Sequence, residues 1–338
     1  MEILVDVVLL SLLVITALAI NGTKDLFASI MLTGIYSLLS ASFFVLMDAV
    51  DVAFTEAAVG AGIATLLMLS CMTLTGQYER KPRRSQQALG LLVVSITGVL
   101  LYFGTLDTPN FGDAHSPIQD HLAPHYLHQS MAEIGIPNVV TSVLASYRGF
   151  DTFGETVVIF TAGIGVLALI GFRPKRKTDG QLQSLVAPMH HQKILRVLSK
   201  LLIPPILLFA LYVQFHGDYG PGGGFQAGVI FAAAIILYAM IFGVDIARRA
   251  FPDAAVRLLA ALGVLLYGSV GLVSLLSGKH FLDYSILGDT PQHGQHWGIL
   301  LVELGVGITV TSVMLIIFFT FSARVDRRGR DGDASQRQ

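Results

Sequence analysis

Apolar runs of about 20 residues alternate along this chain with short polar connections that carry most of its charge. A bilayer core about 30 Å thick needs roughly 20 apolar residues in helical form to span it. Nine runs meet that requirement: Ile3–Ile20, Leu26–Met47, Val52–Thr75, Ala88–Leu106, Gly154–Phe172, Leu201–Phe215, Gly224–Val244, Leu258–Ser277 and Trp297–Phe321. The runs are continuous rather than alternating, which excludes the strands of a membrane barrel. A water-soluble fold would show amphipathic stripes instead. The first run begins with Glu2 and Asp6 where a cleaved leader would be basic, so it reads as a membrane helix. The predicted fold class is all-α, a polytopic integral membrane protein with about nine transmembrane helices.

Composition strengthens that reading: of 338 residues, 53% are hydrophobic and 13% are charged, against about 25% charged in soluble domains. Charge placement then orients the chain. With the N-terminus outside, the inward connections hold Lys24; Arg80, Lys81, Arg83 and Arg84; and the group Arg173, Lys175, Arg176, Lys177, Lys193, Arg196 and Lys200. Arg248, Arg249 and Arg257 follow, and the tail adds Arg324, Arg327, Arg328, Arg330 and Arg337. That is 20 of 22 basic residues, leaving Arg148 and Lys279 outside. The positive-inside rule therefore supports nine crossings and a cytoplasmic C-terminus. These basic clusters are short and lie beside membrane segments, so no nucleic-acid partner is expected. Cys71, the one cysteine, reads as a small buried side chain, with no disulfide or cysteine metal motif.

Ionisable groups inside the apolar runs carry the candidate chemistry, because a charge at the bilayer centre costs at least about 2.5–3.5 kcal/mol. Three glutamates qualify. Glu56 follows Thr55 and precedes a stretch of small residues that includes Gly60 and Gly62. Such glycines permit close helix approach and tolerate a local break or π-bulge where water reaches a carboxylate. Glu56 reads either as a proton or cation relay or as a carboxylate hydrogen-bonded to the Thr55 or Thr65 hydroxyl. Glu303, followed by Gly305 and Gly307, offers the same two alternatives. Glu155 begins its run, seven residues after Arg148 and four after Asp151. Helix capping and ion pairing are expected there, with ion translocation the other role.

The most unusual local sequence is His216-Gly-Asp218-Tyr-Gly-Pro221-Gly222-Gly223-Gly224-Phe-Gln. Its glycines and proline predict a tight, re-entrant turn between the sixth and seventh helices, and backbone amides at the start of the seventh offer a second role, holding an anion or carboxylate. It lacks the lysine and hydroxyl ending of a phosphate loop. His216 and Asp218 are its secondary polar candidates. The long connection 107–153 holds His115, His121, His125 and His128, at spacings that bring two imidazoles to one helix face. No carboxylate completes a set, so no metal is assigned. Val139, Val140, Val143 and Leu144 predict a short helix on the outer surface.

Three stretches carry a family resemblance. Asp51-Val-Ala-Phe-Thr-Glu-Ala-Ala-Val-Gly-Ala-Gly resembles the three-helix module found near the end of the large Mrp antiporter chain and in membrane-bound hydrogenases (MbhD-like). Gly135-Ile-Pro-Asn-Val-Val-Thr-Ser-Val-Leu, continuing through Tyr147-Arg-Gly-Phe-Asp-Thr-Phe-Gly-Glu, resembles the two-helix module that follows it (MbhE-like). The last four helices, with Pro221-Gly-Gly-Gly-Phe-Gln and Val302-Glu-Leu-Gly-Val-Gly, are similar to the B-type subunit of Mrp antiporters. The resemblance implies modules over 1–80, 81–180 and 190–325, with a basic cytoplasmic tail over 326–338.

It implies a subunit of a multisubunit Na+/H+ antiporter in the cell inner (plasma) membrane, related to the membrane arm of complex I. The role would be ion transport rather than catalysis, and no cofactor is implied. It also places Glu56 in the ion-translocation path, and Glu303 more weakly. No lysine lies at the centre of any run, so a separate antiporter-like large subunit and small membrane subunits must act as partners. The competing readings are the ion-translocating arm of a membrane-bound hydrogenase and a structural linker whose glutamates are all paired.

Overall fold

The computed structural model describes residues 2–79, 83–110, 113–170 and 193–335. Arg80, Lys81, Arg173, Lys175, Arg176, Lys177 and Arg337, part of the predicted charge asymmetry, lie outside the described residues. So do the expected boundary at residue 180 and the end of the tail. Everything assigned is helical, with no strand among the described residues. Nine described helices are long and apolar enough to cross a membrane.

Helices α1 (Glu2–Gly22) and α2 (Leu26–Leu46) form an antiparallel pair. Their connection is tied to the segment after α3 by Leu26 N–H donating to the Gln77 carbonyl and Glu79 N–H to the Lys24 carbonyl. Helix α3 runs through three consecutive pieces: Val50–Glu56 is α-helical, Ala57–Ala64 is π-helical and Thr65–Thr75 is α-helical again. Helix α4 (Arg84–Thr105) buries none of its residues against the rest of the chain. The segment that follows forms a short π-helical turn, Ile118–Leu122, then α5 (Ala123–Glu133). Next comes α6, which starts as Val139–Thr141 and continues π-helically over Ser142–Tyr147. After it come α7 (Gly149–Ile170), α8 (Lys193–His216), α9 (Gly224–Phe242), the short α10 (Val244–Ala250), α11 (Asp253–Leu276) and α12 (Pro291–Ser335).

The core sits where α9 and α12 cross, flanked by α8, α11 and α7. Lipid tails are as apolar as leucine, so helices in a bilayer associate through close van der Waals fit and small residues. That fit is visible at glycines. A β-carbon on Gly224 would overlap the Glu303 carbonyl, and one on Gly228 would come within 2.7 Å of the Gly307 carbonyl. Ala227, Ala232, Ala234 and Ala239 continue the same buried face of α9. The lower piece of α3 joins this core through Leu66 and Leu67, which pack against it.

Two features of the structure differ from the pattern of the sequence. The fifth and ninth apolar runs start at Gly154 and Trp297, yet α7 starts at Gly149 and α12 at Pro291. The extra residues are Gly149-Phe-Asp-Thr-Phe in α7 and Pro291-Gln-His-Gly-Gln-His in α12. The segment at Val139 is helical as expected but does not lie on the surface by its valines. Its small residues Thr141, Ser142 and Ala145 are buried, while Leu144 is exposed.

A Gly224→Ala substitution should therefore lower stability by about 1–3 kcal/mol, the usual cost of overpacking a tight contact. The expected readout is a lower unfolding midpoint in detergent, with Gly154→Ala, which meets nothing nearby, leaving it unchanged.

Candidate functional site

The site is built on the break between α8 and α9. Buried backbone outside a helix needs protein partners for its N–H and C=O groups. The turn at residues 217–223 meets that demand through one side chain above all. Asn138 donates its amide to the Gly217 and Gly220 carbonyls, both at 3.0 Å, and to the Asp51 carboxylate at 3.3 Å. Its own backbone N–H donates to the Asp218 carbonyl, and its side-chain oxygen caps α6 by accepting from Val140 N–H. Thr141 adds a 2.6 Å bond to the Gly217 carbonyl, and Gly223 N–H donates to the Val213 carbonyl at 3.0 Å. Gly223 has φ +114, a conformation natural only to glycine, and this brings its backbone against the Glu303 carboxylate.

Glu303 lies twelve residues into α12, about 18 Å along the helix axis from its first residue. Its carboxylate meets the turn at Gly217 and Gly223. Beside it opens a cavity of about 290 Å³. The wall draws on α3 (Asp51, Thr55), on α6 and α7 (Thr141, Glu155), and on the turn and α9 (Gly222–Gly224, Gln226). Tyr267 of α11 and Glu303 close it. Gln226, buried in an otherwise apolar helix, donates to the Thr55 hydroxyl at 2.7 Å and so ties α9 to α3.

The predicted residues thus divide. Glu303, Glu155, Thr55, Gly222, Gly223 and Gly224 come together at the cavity. Glu155 does not cap its helix: the Arg148 guanidinium instead pairs with Asp151 at 2.5 Å on the exposed surface, and Glu155, on the second turn of α7, faces the cavity. The earlier helix start explains the difference, because Gly149 and Asp151 occupy the first turn. Pro221 lies within the turn, and His216 stacks on Tyr212 with ring centroids 4.8 Å apart. Glu56 is separate from the cavity wall. It ends the first piece of α3, and its carboxylate lies against Gly60 and Ser37, so close that a β-carbon on Gly60 would come within 2.6 Å of it. Gly60 and Gly62 fall inside the π-helical piece. Thr65 donates to the Gly60 carbonyl at 3.4 Å rather than to Glu56. Among the described residues, none of the three glutamates forms an ion pair with a basic side chain.

The sequence pattern does not single out Asn138, Thr141, Gln226 or Tyr267. Tyr267 and Tyr284, both fully buried, donate to the carbonyls of Gly149 and Ala145 and clamp the α6–α7 corner. Above the turn, His296 Nδ1 lies 2.8 Å from the Asp218 carboxylate. Burial pushes the Asp218 carboxyl above its usual range, and the neighbouring His296 opposes that shift. In the long connection, His125 and His128 do share α5. His125 faces Glu133 at 3.6 Å, and Glu133 also accepts from the Tyr147 hydroxyl. Among the described residues, no three His, Cys, Asp or Glu side chains gather as a metal site.

Asn138→Ala strands the Gly220 carbonyl and removes the cap on Val140 N–H, while Thr141 still serves Gly217, so the unfolding midpoint in detergent should fall by the equivalent of about 1–3 kcal/mol. For Asp218, a raised folded-state pKa means the folded state holds the proton more tightly than the unfolded state. Its contribution is favourable below the unfolded value of 3.8 and is lost as pH rises through the higher folded value. Asp218→Asn should therefore gain stability relative to the native chain as pH rises above about 4, seen in paired unfolding midpoints across pH.

The same three stretches match known families. Residues 194–316 match the family described as "Domain related to MnhB subunit of Na+/H+ antiporter". Residues 11–77 match the MbhD family, the D-type subunit of MBH, and residues 92–185 match the MbhE family, the E-type subunit of MBH. The chain is 34% identical over 132 residues to the "Putative antiporter subunit mnhB2" of Staphylococcus aureus (strain Newman), covering 38% of this chain and 93% of that protein. It is 25% identical over 333 residues to the A/B-type subunit of a "Probable K(+)/H(+) antiporter" of Rhizobium meliloti (strain 1021). That match covers 90% of this chain but 32% of the relative, so the chain spans about a third of that protein's length. A chain in "Structure of Mrp complex from Dietzia sp. DQ12-45-1b" shares the fold, with TM-score 0.70 over 93% of this chain and 34% of that one, at 24% identity. The chain is a multi-pass membrane protein that belongs to the family of antiporter subunits related to MnhB, preceded by stretches that match the MbhD and MbhE families.

Proposed function

We propose that this chain is an ion-handling subunit of a multisubunit monovalent cation/proton antiporter in the cell inner (plasma) membrane. Its role is transport rather than catalysis. Its partners are an antiporter-like large subunit, which supplies the main proton channel, and small membrane subunits. The N-terminus lies outside and the C-terminus in the cytoplasm, as the basic connections require. The modules are 1–80, 81–180 and 190–325, with a basic tail over 326–338.

The observation that carries this reading is the interlock between the three matched stretches. Asp51, Asn138 and Gly217 meet at one amide, and Thr55 bonds Gln226. Segments that match separate subunits therefore share polar side chains within the membrane, as one working unit. Within that unit Glu56 is the relay group. It closes the α-helical part of α3 immediately before a π-helical stretch, a feature that loosens the backbone ladder and recurs at functional sites. Glu155 and Glu303 are further carboxylates of the ion path.

The matches to the MbhD and MbhE families favour a second reading, the ion-translocating membrane arm of a hydrogenase-type complex. Iron–sulfur absorption in the purified complex would establish that reading, and its absence alongside cation-dependent proton movement supports the first. Glu56→Gln in the assembled complex should abolish antiport in vesicles while the subunits still co-purify. Normal antiport in that variant would remove Glu56 from the path, and the linker reading would then stand.

A further inference from the structure

We propose that the half-open cavity between α3, α6, α7, α9, α11 and α12 is a binding chamber for a partly hydrated monovalent cation, with Glu303 as its charged ligand.

Most of the wall is apolar, with Val52, Val140, Leu144, Phe225, Val302 and Val306 in its lining, and its few polar positions select the occupant. Three carboxylates, from Asp51, Glu155 and Glu303, border the cavity, and no lysine, arginine or histidine is among its described lining residues. The half-buried Glu303 carboxylate lies against the glycine turn, with no ion-pair partner among the described residues. A carboxylate in such surroundings is strongly disfavoured as a bare anion and is held either protonated or with a compensating cation, the two states an antiport cycle exchanges.

The neutral groups point the same way. Each hydroxyl on the wall has committed its one proton to a backbone carbonyl. Thr55 donates to Asp51 at 3.0 Å, Thr141 to Gly217 at 2.6 Å, Thr152 to Leu144 at 2.7 Å and Tyr267 to Gly149 at 2.7 Å. What these oxygens have left to offer the cavity is lone pairs. Gln226 directs its amide nitrogen to Thr55, and its carbonyl oxygen can only accept. The hydroxyl and carboxylate oxygens on the wall therefore face the cavity as acceptors, the ligand type a hard cation prefers.

Size and ligand count narrow the class further. A cavity of about 290 Å³ far exceeds the share of one water in the liquid, about 30 Å³, so a cation keeps several waters inside it. No three acidic, histidine or cysteine side chains converge closely enough to chelate a metal among the described residues, which disfavours a tightly held divalent ion. The chamber also joins the three matched stretches, since Asp51, Glu155 and Glu303 come one from each.

This proposal rests on the antiporter reading, and the test separates the two. The complete complex containing this chain is reconstituted in vesicles, and proton movement is followed while Na+ and, separately, K+ are titrated at fixed pH. Glu303→Gln should raise the half-saturating concentration of the transported cation at least about tenfold, with the subunits still co-purifying. Val140→Phe, which fills the cavity and removes no charge, should raise it in the same direction. Unchanged half-saturation in both variants overturns the chamber. If Glu303→Gln fails to assemble, Val140→Phe decides alone: a raised value supports the chamber and an unchanged one overturns it. Absence of cation-driven proton movement in the native complex defeats the antiporter reading itself.

Discussion

The structure depends on a single requirement, that the irregular backbone between α8 and α9 be satisfied without water. An unpaired carbonyl or amide in an apolar medium costs several kcal/mol. The turn at 217–223 exposes several of them, and Asn138 and Thr141 answer two of its carbonyls directly. Because Asn138 also caps α6 and reaches Asp51 on α3, satisfying the turn fixes three parts of the chain at once. A helix pair could have been joined by an ordinary loop at the surface. The glycines instead let the turn fold inward until Gly223 touches Glu303, and the polar groups it gathers become the wall of the cavity.

The nine membrane helices were legible because length and hydropathy are local properties of each run. The inward turn was legible in composition, since five glycines and a proline leave little else. Its anchoring was not, because Asn138 lies 79 residues from Gly217 and Gln226 lies 171 from Thr55, and no spacing rule joins such pairs. Weaker signals existed. Gln226 is the one amide in the apolar run Gly224–Val244, and a buried amide must find a partner. Asn138 follows a proline and precedes a helical run, the usual setting of a cap. Helix starts differ for a related reason: hydropathy marks the apolar run, whereas α7 and α12 begin several residues before it, which moves Glu155 to the second turn of its helix.

The π-helical piece of α3 shows why Glu56 and the cavity are separate problems. A π-helical stretch takes more residues per turn, so it rotates the faces of the helix above and below it relative to an unbroken α-helix. Above it, Asp51 and Thr55 face the turn and α9; below it, Leu66 and Leu67 pack on the core. Polar contacts at one end and apolar contacts at the other are both made because the middle absorbs the mismatch. Glu56 sits at the seam, beside Gly60 and Ser37 and without a basic partner among the described residues. An alanine there would pack with less desolvation cost than a carboxylate, whose charge gains no pairing. Glu303 differs in kind: its surroundings are a chamber with room for an ion and its water, and its backbone carbonyl is the very contact that holds α9 in place. One carboxylate thus lies at a seam in a helix and the other in a chamber between helices, and the glycine turn reaches only the second.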